Sequence, residues 1–234
     1  MKKIDNELTA IVENARRVNS HTSKANFCEE CGKEIFVQTD KFCGKRCKNI
    51  SISRKNPTGF VSEIIPPRYV NASLEDMPER QVRIEKAIAG EWDGFFIFGD
   101  VGRGKTHIAA AIAKAYLPNT FKQDGSCGIV WRLTPKLLSE IKAGWKTGND
   151  DFKKYEECKL LILDDFGAEQ TTDWSLTTLY TIIATRIDYC RKTIVTSNFT
   201  LDRIAEIEPR IASRLSSPDF LKIELKGEDR RVKR

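Results

Sequence analysis

The chain has 234 residues, 31% charged and 40% hydrophobic, enough apolar material for one ordinary globular core with a small satellite domain and too much for a long disordered protein. Its 39 Lys and Arg against 33 Asp and Glu give a net charge of +6, compatible with a polyanionic partner without demonstrating one. The longest apolar runs, near residues 94–98 and 160–163, fall far short of the roughly 20 residues that span a bilayer, and the N-terminal MKKIDNELTAIVENARR lacks the apolar stretch of a secretory signal, so a cytoplasmic protein is expected.

Four of the seven cysteines, Cys28, Cys31, Cys43 and Cys47, fall within twenty residues. In a reducing compartment, thiols at this spacing are metal ligands rather than disulfide partners. Cys28-Glu-Glu-Cys31-Gly32 lets two thiolates converge from one turn, with Gly32 free to take a positive φ. Cys43 and Cys47, four apart, share one face of a first helical turn. A segment packed only by Phe36 and Phe42 needs Zn²⁺ as its main stabiliser. The pattern resembles a treble-clef zinc finger. Its cations (Lys24, Lys33, Lys41, Lys45, Arg46, Lys48) leave two roles open, docking on a protein or contact with DNA.

The polar stretch NISISRKNPTG, residues 49–59, reads as a linker. From Val61 onward, buried apolar runs alternate with amphipathic stretches, the pattern of an α/β fold with a parallel sheet flanked by helices. Strands are predicted near 94–99, 128–132, 159–164, 192–196 and 220–225, and helices near 79–89, 104–116, 134–145 and 174–190. The resulting division is a zinc-binding segment with a flanking helix over 1–55, a linker over 56–66, and a larger α/β domain over 67–234.

The first strand runs into Gly99-Asp-Val-Gly102-Arg-Gly104-Lys105-Thr106, a match to G-x-x-x-x-G-K-S/T followed by a helix. Its glycines let backbone N–H groups cradle the phosphates of ATP, Lys105 reaches the β and γ phosphates, and Thr106 ligates Mg²⁺. Lys159-Leu-Leu-Ile-Leu-Asp164-Asp165 is an apolar strand ending in two carboxylates, of which Asp164 is expected on the metal and Asp165 on the attacking water. A third strand, Thr193-Ile-Val-Thr-Ser-Asn198, ends in a polar residue able to hold water or the γ-phosphate.

The order P-loop, Asp-Asp strand, Thr-Ser-Asn and Arg210-Ile-Ala-Ser-Arg214-Leu, with IIPPRYVNASLED ahead of it and a terminal GEDRR, resembles the AAA+ ATPases of the replicative helicase loader group (DnaC and DnaI types), and IstB is a cousin. A zinc segment ahead of such a core is similar to the DnaI arrangement. The resemblance implies an AAA+ P-loop core with little or no C-terminal lid, Asn198 as sensor 1, Arg214 as an arginine finger acting in a neighbouring subunit with Arg210 one turn away, and Arg231 at the sensor 2 position. Asp165 departs from the usual Asp-Glu pair; one methylene shorter, it implies slow hydrolysis. The resemblance also implies single-stranded DNA contacts between the second strand and the Asp-Asp strand, where Trp145 lies between Lys142 and Lys146; Trp174 is a second candidate. Both tryptophans read equally as partly buried core. His107 reads as a helix-packing residue.

The implied function is ATP-dependent loading of a hexameric replicative helicase on single-stranded DNA, with self-association through AAA+ interfaces. The competing readings are an IstB-like transposition ATPase on duplex DNA and an ATP-gated zinc-finger regulator.

Overall fold

The computed structural model describes residues 26–35, 42, 44–55, 58–62, 64–76, 84–88, 92–122, 124–148, 151–227 and 229. Its centre is a five-stranded, wholly parallel sheet of β3 (Gly94–Phe98), β4 (Ile129–Leu133), β5 (Leu160–Phe166), β6 (Lys192–Ser197) and β7 (Phe220–Glu224), in the order β4-β5-β6-β3-β7. All five lie where the apolar runs predict them. A two-residue antiparallel pair near the N-terminus supplies β1 (Asn26–Phe27) and β2 (Glu34–Ile35).

The helices are α1 (Lys45–Lys55), α2 (Thr58–Val61), α3 (Lys105–Tyr116), α4 (Thr134–Thr147), α5 (Asp151–Glu157), α6 (Asp173–Asp188), α7 (Leu201–Ile207) and α8 (Pro209–Ser216). Strand side chains alternate between two apolar layers. Phe95, Ile97, Trp131, Leu160, Ile162 and Ile194 pack with α3 and with Val61, Ile65 and Leu74. Phe96, Leu161, Leu163, Val195 and Phe166 pack on the other face with residues of α4 to α8. A parallel sheet buried on both faces explains why its strands read as continuous apolar runs.

The predicted helices over 104–116, 134–145 and 174–190 correspond to α3, α4 and α6. Of the one predicted at 79–89, residues 79–83 and 89 lie outside the described residues, and 84–88 are helical with Ile84 and Ala87 buried. Helices α5, α7 and α8 are too short for a helical period to announce, and the starts of α7 and α8 are set by local chemistry. Thr200 accepts the Arg203 N–H at the head of α7, and Pro209 occupies the first turn of α8 behind the Glu208 cap.

The stretch expected to be a linker is corrected by the structure. Residues 49–55 are the body of α1, and Val61 and Ile65 are already in the core. The helix carries no amphipathic stripe; it is fastened by single hooks. Arg46 Nε donates to the Phe121 carbonyl at 3.1 Å, Asn49 Nδ2 donates to the Gly125 carbonyl at 2.9 Å, and Ile50 and Ser53 are buried. Residues 56, 57 and 63 lie outside the described set.

The far face is pinned by a buried cation. Arg186 of α6 is fully buried and its guanidinium donates to the carbonyls of Tyr155, Glu156, Cys158 and Lys192 and to Thr193 Oγ1. Burial pulls its pKa down from the ordinary arginine value. One planar fork thus joins α5, α6 and the start of β6. Arg186→Met removes every donor while keeping an apolar stem, so it should lower unfolding stability by about 3 kcal/mol, read from urea denaturation.

Candidate nucleotide-binding site

Strand β3 ends at Phe98, and the loop 99–104 turns directly into α3, whose cap Gly104 has φ +90°. Such a left-handed cap aims backbone N–H groups at the space before the helix, the requirement for holding an anion. Gly102 takes φ +79°, in the left-handed region that favours glycine, and lies against the Asp229 carboxylate. Lys105 is buried, and its Nζ donates to the carbonyls of Gly99 at 2.7 Å and Asp100 at 2.8 Å.

A cavity of about 510 Å³ opens over this loop, lined by Gly102, Gly104, Lys105, Thr106, Asp165 and Asn198 among others. Asp164 is 3% exposed and receives hydrogen bonds from Thr106 Oγ1 at 3.2 Å and Thr196 Oγ1 at 2.6 Å. Burial pushes its carboxyl pKa up, the two hydroxyls oppose this, and the Asp165 charge adds to the rise. A buried carboxylate facing a hydroxyl is a donor set that fits Mg²⁺. The sequence-predicted residues Gly99, Gly102, Gly104, Lys105, Thr106, Asp164, Asp165 and Asn198 are thus brought together from three parallel strand ends.

Three lining residues escape sequence reasoning. Arg68 and Tyr69 come from the short 3₁₀ turn Pro67–Tyr69, tied to the P-loop helix by Lys114 Nζ donating to Val70 O at 2.7 Å and Ala72 O at 2.9 Å. His107 lines the same cavity, with Nε2 2.7 Å from Asp76 Oδ2, instead of packing into the core. Their only signal is position ahead of β3 or beside the P-loop, which carries no chemistry until the chain folds.

The arginines lie elsewhere. Arg214 sits in the last turn of α8 and pairs with Asp188 Oδ1 at 2.9 Å; it does not line the cavity of its own chain. Arg210 is held by Glu208 through two 2.8 Å contacts and lies over the Tyr180 ring at 4.6 Å. Arg231 lies outside the described residues. Asp229, two residues earlier, brings the C-terminal segment against Gly102.

Comparison with known proteins places this geometry. The model of the bacterial DnaA ATPase domain matches residues 75–219. The chain belongs to that family. A chromosomal replication initiator protein DnaA from Mycoplasma pneumoniae is 29% identical over 161 residues, covering 62% of this chain and 34% of the initiator. The chain thus spans about a third of the length of the curated relatives it matches. Among solved structures, the DnaC helicase loader superposes with TM-score 0.58 at 24% identity, covering 69% of this chain and 100% of that one. DnaI superposes with TM-score 0.58 at 25% identity, covering 71% and 94%. The described residues form an AAA+ ATPase core of the DnaC and DnaI type in fold.

Two further features of this DnaA-family chain lie away from the cavity. On α4, Trp145 is 59% exposed and meets Trp174 edge to face, with centroids 5.6 Å apart and planes at 80°; Lys142 Nζ stands 5.8 Å from the Trp174 ring and Lys146 is exposed beside it. The two tryptophans predicted separately touch, Trp145 exposed and Trp174 half-buried against the core layer of α4 to α8. Near the N-terminus, the Sγ atoms of Cys28, Cys31 and Cys47 lie within 4.8 Å of one another, with Gly32 at φ +70° in the turn. Cys43 and Phe36 lie outside the described residues. No helix among the described residues is long and apolar enough to cross a membrane.

Lys105→Ala should abolish ATP binding measured by calorimetry while leaving the circular dichroism spectrum unchanged, since the ammonium's hydrogen bonds to the Gly99 and Asp100 carbonyls fasten the loop rather than the sheet.

Proposed function

We propose that this chain is an ATP-dependent loader of a replicative helicase. The observation that carries the reading is the convergence of Thr106, Asp164, Asp165 and Asn198 over a P-loop, within a core that spans the whole of a helicase loader chain. ATP seats its phosphates on the loop N–H groups and draws Lys105 from its carbonyls. Thr106 and Asp164 would hold Mg²⁺, which would supply neutralisation of the phosphate charge. Asp165 orients the attacking water, Asn198 contacts the γ-phosphate, and hydrolysis to ADP and phosphate is slow. Arg214, exchanging Asp188 for a neighbour's γ-phosphate, would report nucleotide state across a subunit interface, with Arg231 as the sensor 2 candidate.

The Trp145–Trp174 pair with Lys142 and Lys146 supplies a stacking surface with adjacent cations, a combination suited to single-stranded DNA. The three convergent cysteines fit Zn²⁺, with Cys43 as the fourth ligand from spacing. The segment they close is the surface we assign to helicase docking. Because Cys47 sits on α1 and the other side of that helix is hooked to the ATPase body, metal loading and core stability are linked. Chelation in mild denaturant should release one equivalent of zinc, assayed by a chromogenic dye, and lower the melting temperature of the whole chain by several degrees.

The family match favours a second reading, an initiator-type ATPase acting on duplex origin DNA. The two separate in one experiment. Purified chain is mixed with the replicative helicase of its host, with and without ATP, and complex mass is read by light scattering after gel filtration. A loader gives a defined complex weakened by Cys28→Ser; no complex in either nucleotide state, together with binding to origin duplex, establishes the initiator reading.

A further inference from the structure

Strand geometry poses a problem at the Asp-Asp pair. Successive side chains of a strand point to opposite faces. On β5, Leu160 and Ile162 face the P-loop helix, and Leu161 and Leu163 face the other layer. Asp164 therefore faces the P-loop helix by simple alternation, and Asp165 would be carried away from it. The backbone prevents this. Leu163 pairs with Val195 and Phe166 pairs with Ser197, so Asp164 and Asp165 together stand opposite the single residue Thr196. This is a β-bulge. Its second residue, Asp165, has φ +54°, a left-handed conformation that is uncommon for a residue with a side chain and here lets both carboxylates serve one site while Phe166 returns to its own layer.

The bulge breaks the ladder at the point where the two acids need to be fixed, and one hydroxyl takes the place of the missing bonds. Thr196 is fully buried. Its Oγ1 donates to Asp164 Oδ1 at 2.6 Å and accepts the Asp165 N–H at 2.9 Å. A hydroxyl has one proton to give, and here it goes to the carboxylate, leaving a lone pair for the amide. The same atom therefore orients the first carboxylate and holds the strained backbone of the second.

We infer that Thr196 is a positioning residue for the Asp164–Asp165 pair, setting the metal-facing carboxylate and the left-handed turn of its neighbour through a single hydroxyl. The inference rests on the Mg·ATP reading of the cavity. No other described side chain hydrogen-bonds both residues: Thr134 Oγ1 reaches only the Asp164 carbonyl, and Thr106 only its carboxylate.

The test is Thr196→Val, which keeps the shape and removes the hydroxyl, beside Thr196→Ser, which keeps the hydroxyl and removes the methyl. Thr196→Val should bind ATP in EDTA within about twofold of the parent chain. It should lose roughly tenfold or more in Mn²⁺ affinity of the nucleotide complex, measured by electron paramagnetic resonance, and roughly ten- to hundredfold in kcat, with KM for ATP little changed. Thr196→Ser should recover most of both losses. Parental Mn²⁺ affinity and kcat in Thr196→Val would overturn the inference, as would a Ser variant as impaired as Val. Should Val not fold by circular dichroism, Thr196→Cys, with a weak thiol donor, takes its place: intermediate Mn²⁺ affinity supports the inference and parental affinity overturns it. Loss of the nucleotide-site reading itself has a separate signature, ATP binding in EDTA that is unaffected by Lys105→Ala.

Discussion

A parallel sheet covered on both faces leaves one place for chemistry, the edge where strands end and helices begin. The residues of the nucleotide site follow from that constraint. β6 is hydrogen-bonded to β5 on one side and to β3 on the other, so the P-loop after Phe98, the acids closing β5 and Asn198 after Ser197 arrive side by side although about a hundred residues separate the first from the last. Of the buried polar groups in the sheet, Asp164, Thr196 and Ser197 lie at this edge, while Thr193, at the other end of β6, meets Arg186.

The edge is also where the fold departs from ideal geometry. A regular strand cannot direct two consecutive carboxylates to one side, and the bulge opposite Thr196 resolves this at the cost of a left-handed residue. A buried carboxylate beside a second carboxylate is unfavourable in the absence of a cation, which the upward displacement of the Asp164 pKa reflects. Strain and charge crowding are concentrated where a divalent cation and a triphosphate would relieve them.

The N-terminal segment is joined to this machine more closely than its composition implies. Helix α1 carries Cys47 on one side and places Ile50, Ser53, Arg46 and Asn49 against the ATPase body on another. Its eleven residues, KRCKNISISRK, have no stripe of apolar positions, and so read as linker. The helix exists because specific tertiary hooks receive it, as α5 exists because Tyr155 is buried and its terminal carbonyls meet Arg186.

The amino-acid sequence by itself determined the five strands, the P-loop, the two acids and the cysteine spacing, because buried parallel strands are continuous apolar runs and phosphate binding needs glycines at fixed intervals. It also offered Trp145 and Trp174 as candidates for DNA contact or for partly buried core. Only the tertiary structure decided that those two rings meet, that Arg210 is locked to Glu208 while Arg214 faces Asp188, and that Arg68, Tyr69 and His107 line the cavity. It alone assigned Thr196 its two hydrogen bonds, since a threonine within TIVTS is an ordinary strand residue until the neighbouring strand gains one residue opposite it. Local patterns record what each segment buries; which groups face one another across a gap depends on strand order, register and one bulge, and these are properties of the assembled sheet.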